Sequence, residues 1–207
     1  MGYANWLIPS KTQGSGNDTV NVTAGSNNTG RSARSTNITF TASGVGDVVR
    51  QVIQAGKTEF VTMESAKSVS KSGVQTLTIT GTSNSSKLTF SISSGATLPL
   101  VLPQTYTANS VSTENGVAIV GDPGQSAEFA FSIAFTNIPE NLTVDQLTAQ
   151  LVVTDNAGNE AICTITQAQG DATLSVAPES VQLDWNAFTE GTSASFTVTS
   201  NTNWTVS

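Results

Sequence analysis

No histidine occurs in the 207 residues of this chain, and cysteine occurs once, at Cys163. Without an imidazole there is no Ser-His or Cys-His pair to activate a nucleophile. With a single thiol there is no internal disulfide. Cys163 alternates with apolar neighbours in Ala161-Ile162-Cys163-Thr164-Ile165, which makes it a small packing residue of a strand. Charge is scarce as well: charged residues are 11% of the chain, and 8 bases against 15 acids leave a net −7. No basic run is present, which argues against general affinity for nucleic acid. No apolar stretch approaches the ~20 residues of a membrane-spanning helix. The start, Met1-Gly2-Tyr3-Ala4-Asn5-Trp6, lacks the basic and apolar regions of a secretory signal. Trp6 also stands where N-myristoylation wants Ser or Thr.

What the chain does have is Ser, Thr, Asn and Gly interleaved with strand formers. Period-2 alternation predicts an all-β fold built of tandem immunoglobulin-like sandwiches. Thr19–Thr23, Asn37–Thr41 and Val48–Ile53 read as strands of a first segment, residues 1–56. In a middle segment, residues 57–170, six more runs have the pattern: Gln75–Thr80, Lys87–Ile92, Gly116–Val120, Glu128–Phe135, Gln150–Thr154 and Ala161–Ile165. An opening strand near Phe60 brings the middle segment to seven, the count of a complete sandwich. Val144-Asp145-Gln146-Leu147 is the one place where a single helical turn is expected.

The remaining residues, 171–207, are too few for a domain. Together with residues 1–56 they approach the ~100 residues of one sandwich. Asn5-Trp6-Leu7-Ile8 and Asn203-Trp204-Thr205-Val206 look like the same strand, so the ends read as two halves of one sandwich cut there. An open half leaves an apolar face and a bare edge in water, and another chain is the expected completion. The expected assembly strands carry Trp6, Leu7, Ile8, Phe196, Val198, Trp204 and Val206. Gln54-Ala55-Gly56 recurs as Gln167-Ala168-Gln169-Gly170, and Thr82-Ser83-Asn84 as Thr199-Ser200-Asn201, so the middle segment is a full copy of the divided unit. Residues 1–56 carry a net +2, residues 57–170 −5 and residues 171–207 −4, so the end segments have opposite sign.

No catalytic constellation is present, and the chain is expected to be non-enzymatic. No metal site and no cofactor are expected either. Asp155-Asn156-Ala157-Gly158-Asn159-Glu160 has oxygen donors in a Ca²⁺-like spacing, but a hairpin loop with left-handed Gly158 is the better account. Asn141-Leu142-Thr143 and other Asn-x-Ser/Thr triplets arise from composition and are not read as glycosylated. A sugar platform needs an exposed aromatic plane beside polar groups. Trp185, between Asp184 and Asn186, and Tyr106, in a Pro/Gln/Thr stretch, are the carbohydrate-binding candidates.

The ends carry a family resemblance. Thr173–Val181, Phe196–Asn201 and Trp204-Thr205-Val206 resemble the front of a BACON domain. Trp6–Ser10, Gly14–Asn17, Arg34-Ser35 and Val52–Gly56 resemble its back, so the two halves stand in inverted order. The resemblance implies an immunoglobulin-like fold of the kind found in Bacteroidetes surface proteins and crAss-like phage virion proteins. From it follows an expected role: a capsid-surface decoration protein at the virion surface of a Bacteroides-infecting phage. Its expected partners are other copies of itself, the major capsid protein and surface glycans, with no nucleic acid and no membrane. The alternatives are a carbohydrate-binding or spacer segment of a secreted Bacteroidetes enzyme, and a self-assembling surface filament subunit.

Overall fold

The computed structural model describes residues 2–183, 185 and 193–207. Regular structure among them is strand, with one 3-10 turn at Pro123–Gln125 and no α-helix. The chain is all-β.

Four strands precede the middle segment. β1 (Leu7–Pro9) pairs antiparallel with β2 (Val22–Ala24), and β3 (Arg34–Phe40) forms a hairpin with β4 (Val48–Gln54). Nine strands follow: β5 (Val61–Met63), β6 (Ala66–Val69), β7 (Val74–Ser83), β8 (Leu88–Ile92), β9 (Thr105–Ala108), β10 (Val111–Glu114), β11 (Phe129–Ile138), β12 (Leu147–Asp155) and β13 (Glu160–Gln167). They make a five-stranded sheet in the order β10-β9-β11-β7-β5 and a four-stranded sheet in the order β6-β13-β12-β8. At the other end β14 (Leu174–Ala177) pairs antiparallel with β15 (Thr197–Ser200).

Alternation explains why the two sheets face each other. Leu77, Ile79, Phe131, Ile133 and Phe135 point inward from one sheet, Phe90, Leu151, Val153, Cys163 and Ile165 from the other, and all join one buried cluster. Burying each such large side chain contributes about 1.5–3 kcal/mol. Phe90 packs against Tyr106 and Phe131 with ring centroids at 4.9 and 5.7 Å. The cluster draws no residue from the end segments.

The middle segment departs from the sequence-based expectation in three places. Gly116–Val120 is not a strand: Gly116 has φ +75° in a turn, and only Ala118 makes a bridge, to Lys87. Ile119 is nonetheless buried, as a plug rather than a ladder residue. Val144–Leu147 makes no helical turn, because Asn141 Nδ2 takes the Asp145 carbonyl at 2.8 Å and Leu147 already starts β12. Strands β6, β9 and β10 were not expected. Asn109 and Ser110, at φ 48° and 66°, turn the β9–β10 hairpin without a glycine.

The end segments dock at opposite ends of β7. Residues 1–56 meet the sandwich at Asn84, next to Ser83, where Arg31 N donates to Gly124 O (2.9 Å) and Ser32 N to Gln125 O (3.0 Å). Residues 171–207 meet it near the start of β7, where Lys71 pairs with Asp171 and Asn201 reaches Leu142. Ten extended residues at ~3.3 Å each separate the two contacts by about 30 Å.

Candidate assembly surfaces

Both contacts are built around an asparagine. Asn84 is fully buried. Its Oδ1 accepts from Phe60 N at 3.0 Å, and its Nδ2 donates to the carbonyls of Thr29, Lys57 and Thr58 at 3.2–3.3 Å. Ser83 Oγ donates to Phe60 O at 2.7 Å. Arg31 locks the joint from outside, with its Nε on Asn84 O and its guanidinium paired to Asp122.

The second contact repeats the first. Asn201 Oδ1 accepts from Thr173 N at 2.8 Å, its Nδ2 donates to Leu142 O and Asp171 O, and Ser200 Oγ donates to Thr173 O. Four bonds of the supporting shell recur 113 residues on. Asn28 Nδ2 donates to Ser32 O and Ala55 O, as Asn141 Nδ2 does to Asp145 O and Ala168 O. Gln54 Nε2 reaches Ser26 O, as Gln167 Nε2 reaches Pro139 O. Lys57 N donates to Gly30 O, as Gly170 N does to Thr143 O. The β3–β4 hairpin thus stands where β12–β13 stands, 113 residues earlier. The β14–β15 pair reproduces the β5–β7 pair: Leu174 faces Ser200 as Val61 faces Ser83.

The two tryptophans of the expected shared strand stand in different surroundings. Trp6 is buried, at 8% exposure, whereas Trp204 is 49% exposed. Trp204 follows Asn201 as Lys87 and Leu88 follow Asn84. Trp6 sits in a turn just before β1, packed under the Arg34 guanidinium at 4.9 Å. Leu7 is buried and Ile8 half exposed, both in β1. Among the other expected assembly residues, Val198 lies in β15, Phe196 just before it, and Trp204 and Val206 outside any strand. Neither Trp204 nor Val206 pairs with another strand among the described residues.

The faces that the middle unit covers are open at the ends. Val61 and Ile79 are 7% and 0% exposed, whereas their counterparts Leu174 and Phe196 are 60% and 50% exposed. Val176, Trp204 and Val206 are exposed beside them, and Val22 and Phe40 on the N-terminal half.

The sugar-binding candidates fare differently. Tyr106 is not in a loop: it lies in β9, 3% exposed, against Phe90. Alternation along β9 turns it inward, so it offers no plane to a ligand. Its hydroxyl finds no hydrogen-bond partner of normal geometry among the described residues, although the Leu88 backbone is near enough to temper the effect of burial. Burial pushes its pKa from 10.0 up to about 12. The folded state therefore holds the proton more tightly than the unfolded chain. This stabilisation is complete below pH ~10 and is lost as pH rises toward ~12, on the order of 2 kcal/mol. Tyr106→Phe is expected to raise the melting temperature at pH 7 and flatten that alkaline loss; a lower melting temperature would show that the hydroxyl is paired. Trp185 is 94% exposed. Its neighbours Asp184 and Asn186 lie outside the described residues.

Asp155 folds its hairpin rather than holding a metal. Oδ1 accepts from Ala157 N and Asn159 N, and Oδ2 from Asn159 Nδ2, at 2.8–2.9 Å. Gly158 takes φ +90°. No cluster of metal-ligating side chains occurs among the described residues. Cys163 is buried, and burial pushes its thiol pKa up. The Asn141 amide is 2% exposed and bonded on both atoms, which leaves no nitrogen free for a glycan.

The N-terminal half carries a family signature over its whole length. Residues 1–55 match the BACON family, "Putative binding domain, N-terminal". The matched residues comprise β1–β4 and the shell that docks at Asn84. The match ends just before the Lys57–Gly30 bond that closes the segment onto the sandwich. No curated protein matches the chain. The solved "cadmium bound structure of SporoSAG" is similar over 79% of this chain and 71% of its own, at 11% identity and a TM-score of 0.21.

Proposed function

We propose that this chain is a non-enzymatic structural protein of a virion surface, a capsid decoration of a Bacteroides-infecting phage that assembles through its two β ends. In this reading residues 57–170 are a complete immunoglobulin-like unit, and residues 1–56 and 171–207 are the back and front of another. The observation that carries it is the repeated asparagine joint. A unit docked to its neighbour through fully paired backbone and amide groups transmits position rather than chemistry. The BACON match supports a binding module. Its partners are further copies of the chain and the major capsid protein.

The test is co-sedimentation. Labelled protein should travel with purified phage capsids and pass unretained through columns of gut polysaccharides. The exposed ring of Trp185 favours one second reading, a carbohydrate-binding spacer of a secreted protein. Retention on polysaccharide that Trp185→Ala abolishes, without capsid binding, would establish that reading instead.

A further inference from the structure

The geometry points to Asn115 as a clasp on the outer edge of β8, and to Asn115-Gly116 as a modification site whose deamidation opens that edge. The site lies wholly within the middle sandwich and is independent of the role proposed above.

β8 is the last strand of the four-stranded sheet, and among the described residues β12 is its one strand partner. Its outer backbone groups are nevertheless taken up by the segment 115–119. Ile119 N donates to Ser86 O at 2.9 Å, Ala118 bridges Lys87, and Gly116 N donates to Leu88 O at 3.0 Å. At Phe90 the backbone of this segment has already turned away: Asn115 N donates to Gln104 O at 2.8 Å, beside the β9–β10 hairpin. The Asn115 side chain takes over there. Its Oδ1 accepts from Phe90 N at 2.7 Å, and its Nδ2 donates to Phe90 O at 3.0 Å. One amide thus presents the acceptor and the donor that a neighbouring strand would present. It closes an edge that would otherwise stand bare, and it ties the edge of one sheet to the other sheet.

Asn115 is the only asparagine in the chain that glycine follows. This dipeptide has a chemistry of its own. Gly116 N loses its proton to solvent and attacks Asn115 Cγ, and no Cβ on the glycine obstructs the approach. The Cγ–Nδ2 bond breaks, ammonia leaves and a cyclic imide remains. Water then adds to one of the two imide carbonyls. The ring opens to aspartate, or to its isomer with the main chain routed through the side chain. In the closed edge Gly116 N is held by Leu88 O, and both amide atoms are held by Phe90. Attack therefore waits until the segment lifts from β8. Neither product closes the clasp again. A carboxylate accepts from Phe90 N but has no donor for Phe90 O, and its charge faces that carbonyl. The isomer also lengthens the main chain before Gly116 and moves Gly116 N away from Leu88 O. A transient opening is converted into a permanent bare edge.

The test incubates the full chain at mildly alkaline pH, folded and in urea, and follows Asn115 by peptide mapping. Conversion is expected in both samples, about tenfold or more slower in the folded chain. Equal rates would show that the fold does not guard the site. Conversion confined to urea, or absent from both samples, would overturn the modification site. The second arm compares amide hydrogen exchange in the parent and in Asn115→Asp, which carries the product side chain. Exchange at Phe90 and Gly116 should rise about tenfold or more, while the amides of β7 and β11 keep their protection. Unchanged exchange at Phe90 would overturn the clasp. An equal rise across both sheets would overturn it too, because Asn115 would then support the whole fold rather than one edge.

Discussion

Gly124→Ala is expected to unseat residues 1–56 from the sandwich. A Cβ at Gly124 would stand 2.0 Å from Asn84 O and 2.4 Å from Asn84 C. Both obstacles are backbone, so no rotamer change relieves the clash. Either the Pro123–Gln125 turn or the Asn84 corner must move. The bonds from Arg31 N to Gly124 O and from Ser32 N to Gln125 O fail with either movement. Overpacking of this kind costs about 1–3 kcal/mol. Limited proteolysis should cut residues 25–34 of the variant far faster than in the parent, while the β7–β11 core stays protected. An unchanged cleavage rate and melting temperature would show that the joint does not hold the segments together.

Asn84→Ala is expected to lower stability by about 2–3 kcal/mol, because a fully buried amide that joins Phe60 N to the carbonyls of Thr29, Lys57 and Thr58 is lost. Asn84→Asp is expected to do no better. It keeps the acceptor for Phe60 N but turns an anion toward the carbonyls of Thr29, Lys57 and Thr58. Asn201→Ala tests the same geometry in the open. Its partners Thr173, Asp171 and Leu142 can reach water, so the loss should stay below about 1 kcal/mol. Denaturant unfolding of the three variants gives the comparison. Equal losses at Asn84 and Asn201 would show that burial does not set the strength of the joint.

Much of this arrangement is legible in the sequence where alternation is strong. The runs around Leu77–Thr80, Leu88–Ile92, Phe129–Phe135 and Ile162–Ile165 are strands because one face of each meets the core, and Asn37–Phe40 and Val48–Ile53 because they pair with each other as a hairpin. Recurrence of Gln54-Ala55 at Gln167-Ala168, and of Ser83-Asn84 at Ser200-Asn201, is visible because those residues make the same bonds to backbone in both places. What fails has local causes. β6 reads Ala66-Lys67-Ser68-Val69, without alternation, and exists because the non-local β13 edge is there to receive it in parallel. β9 and β10 are joined by Asn109-Ser110, a turn without the glycine that signals a hairpin. Tyr106 looks loop-borne from its Pro, Gln and Thr neighbours, but it serves the core. The two Asn-Trp dipeptides match in two letters but not in setting: Trp6 is buried under Arg34, and Trp204 is half exposed outside any strand.

The parallel pairing of β6 with β13 has a consequence for load. The chain enters the sandwich at one end of β7 and leaves at the other, so traction between neighbouring units pulls on Lys57 and Gly170. That pull drags β6 toward its start and β13 toward its end. The bonds from Thr164–Ala66 through Gln167–Val69 lie across this direction. They are loaded in shear and must break together rather than one after another. The short, inconspicuous edge strand is then the mechanical latch of the sandwich, the first place at which it resists stretching.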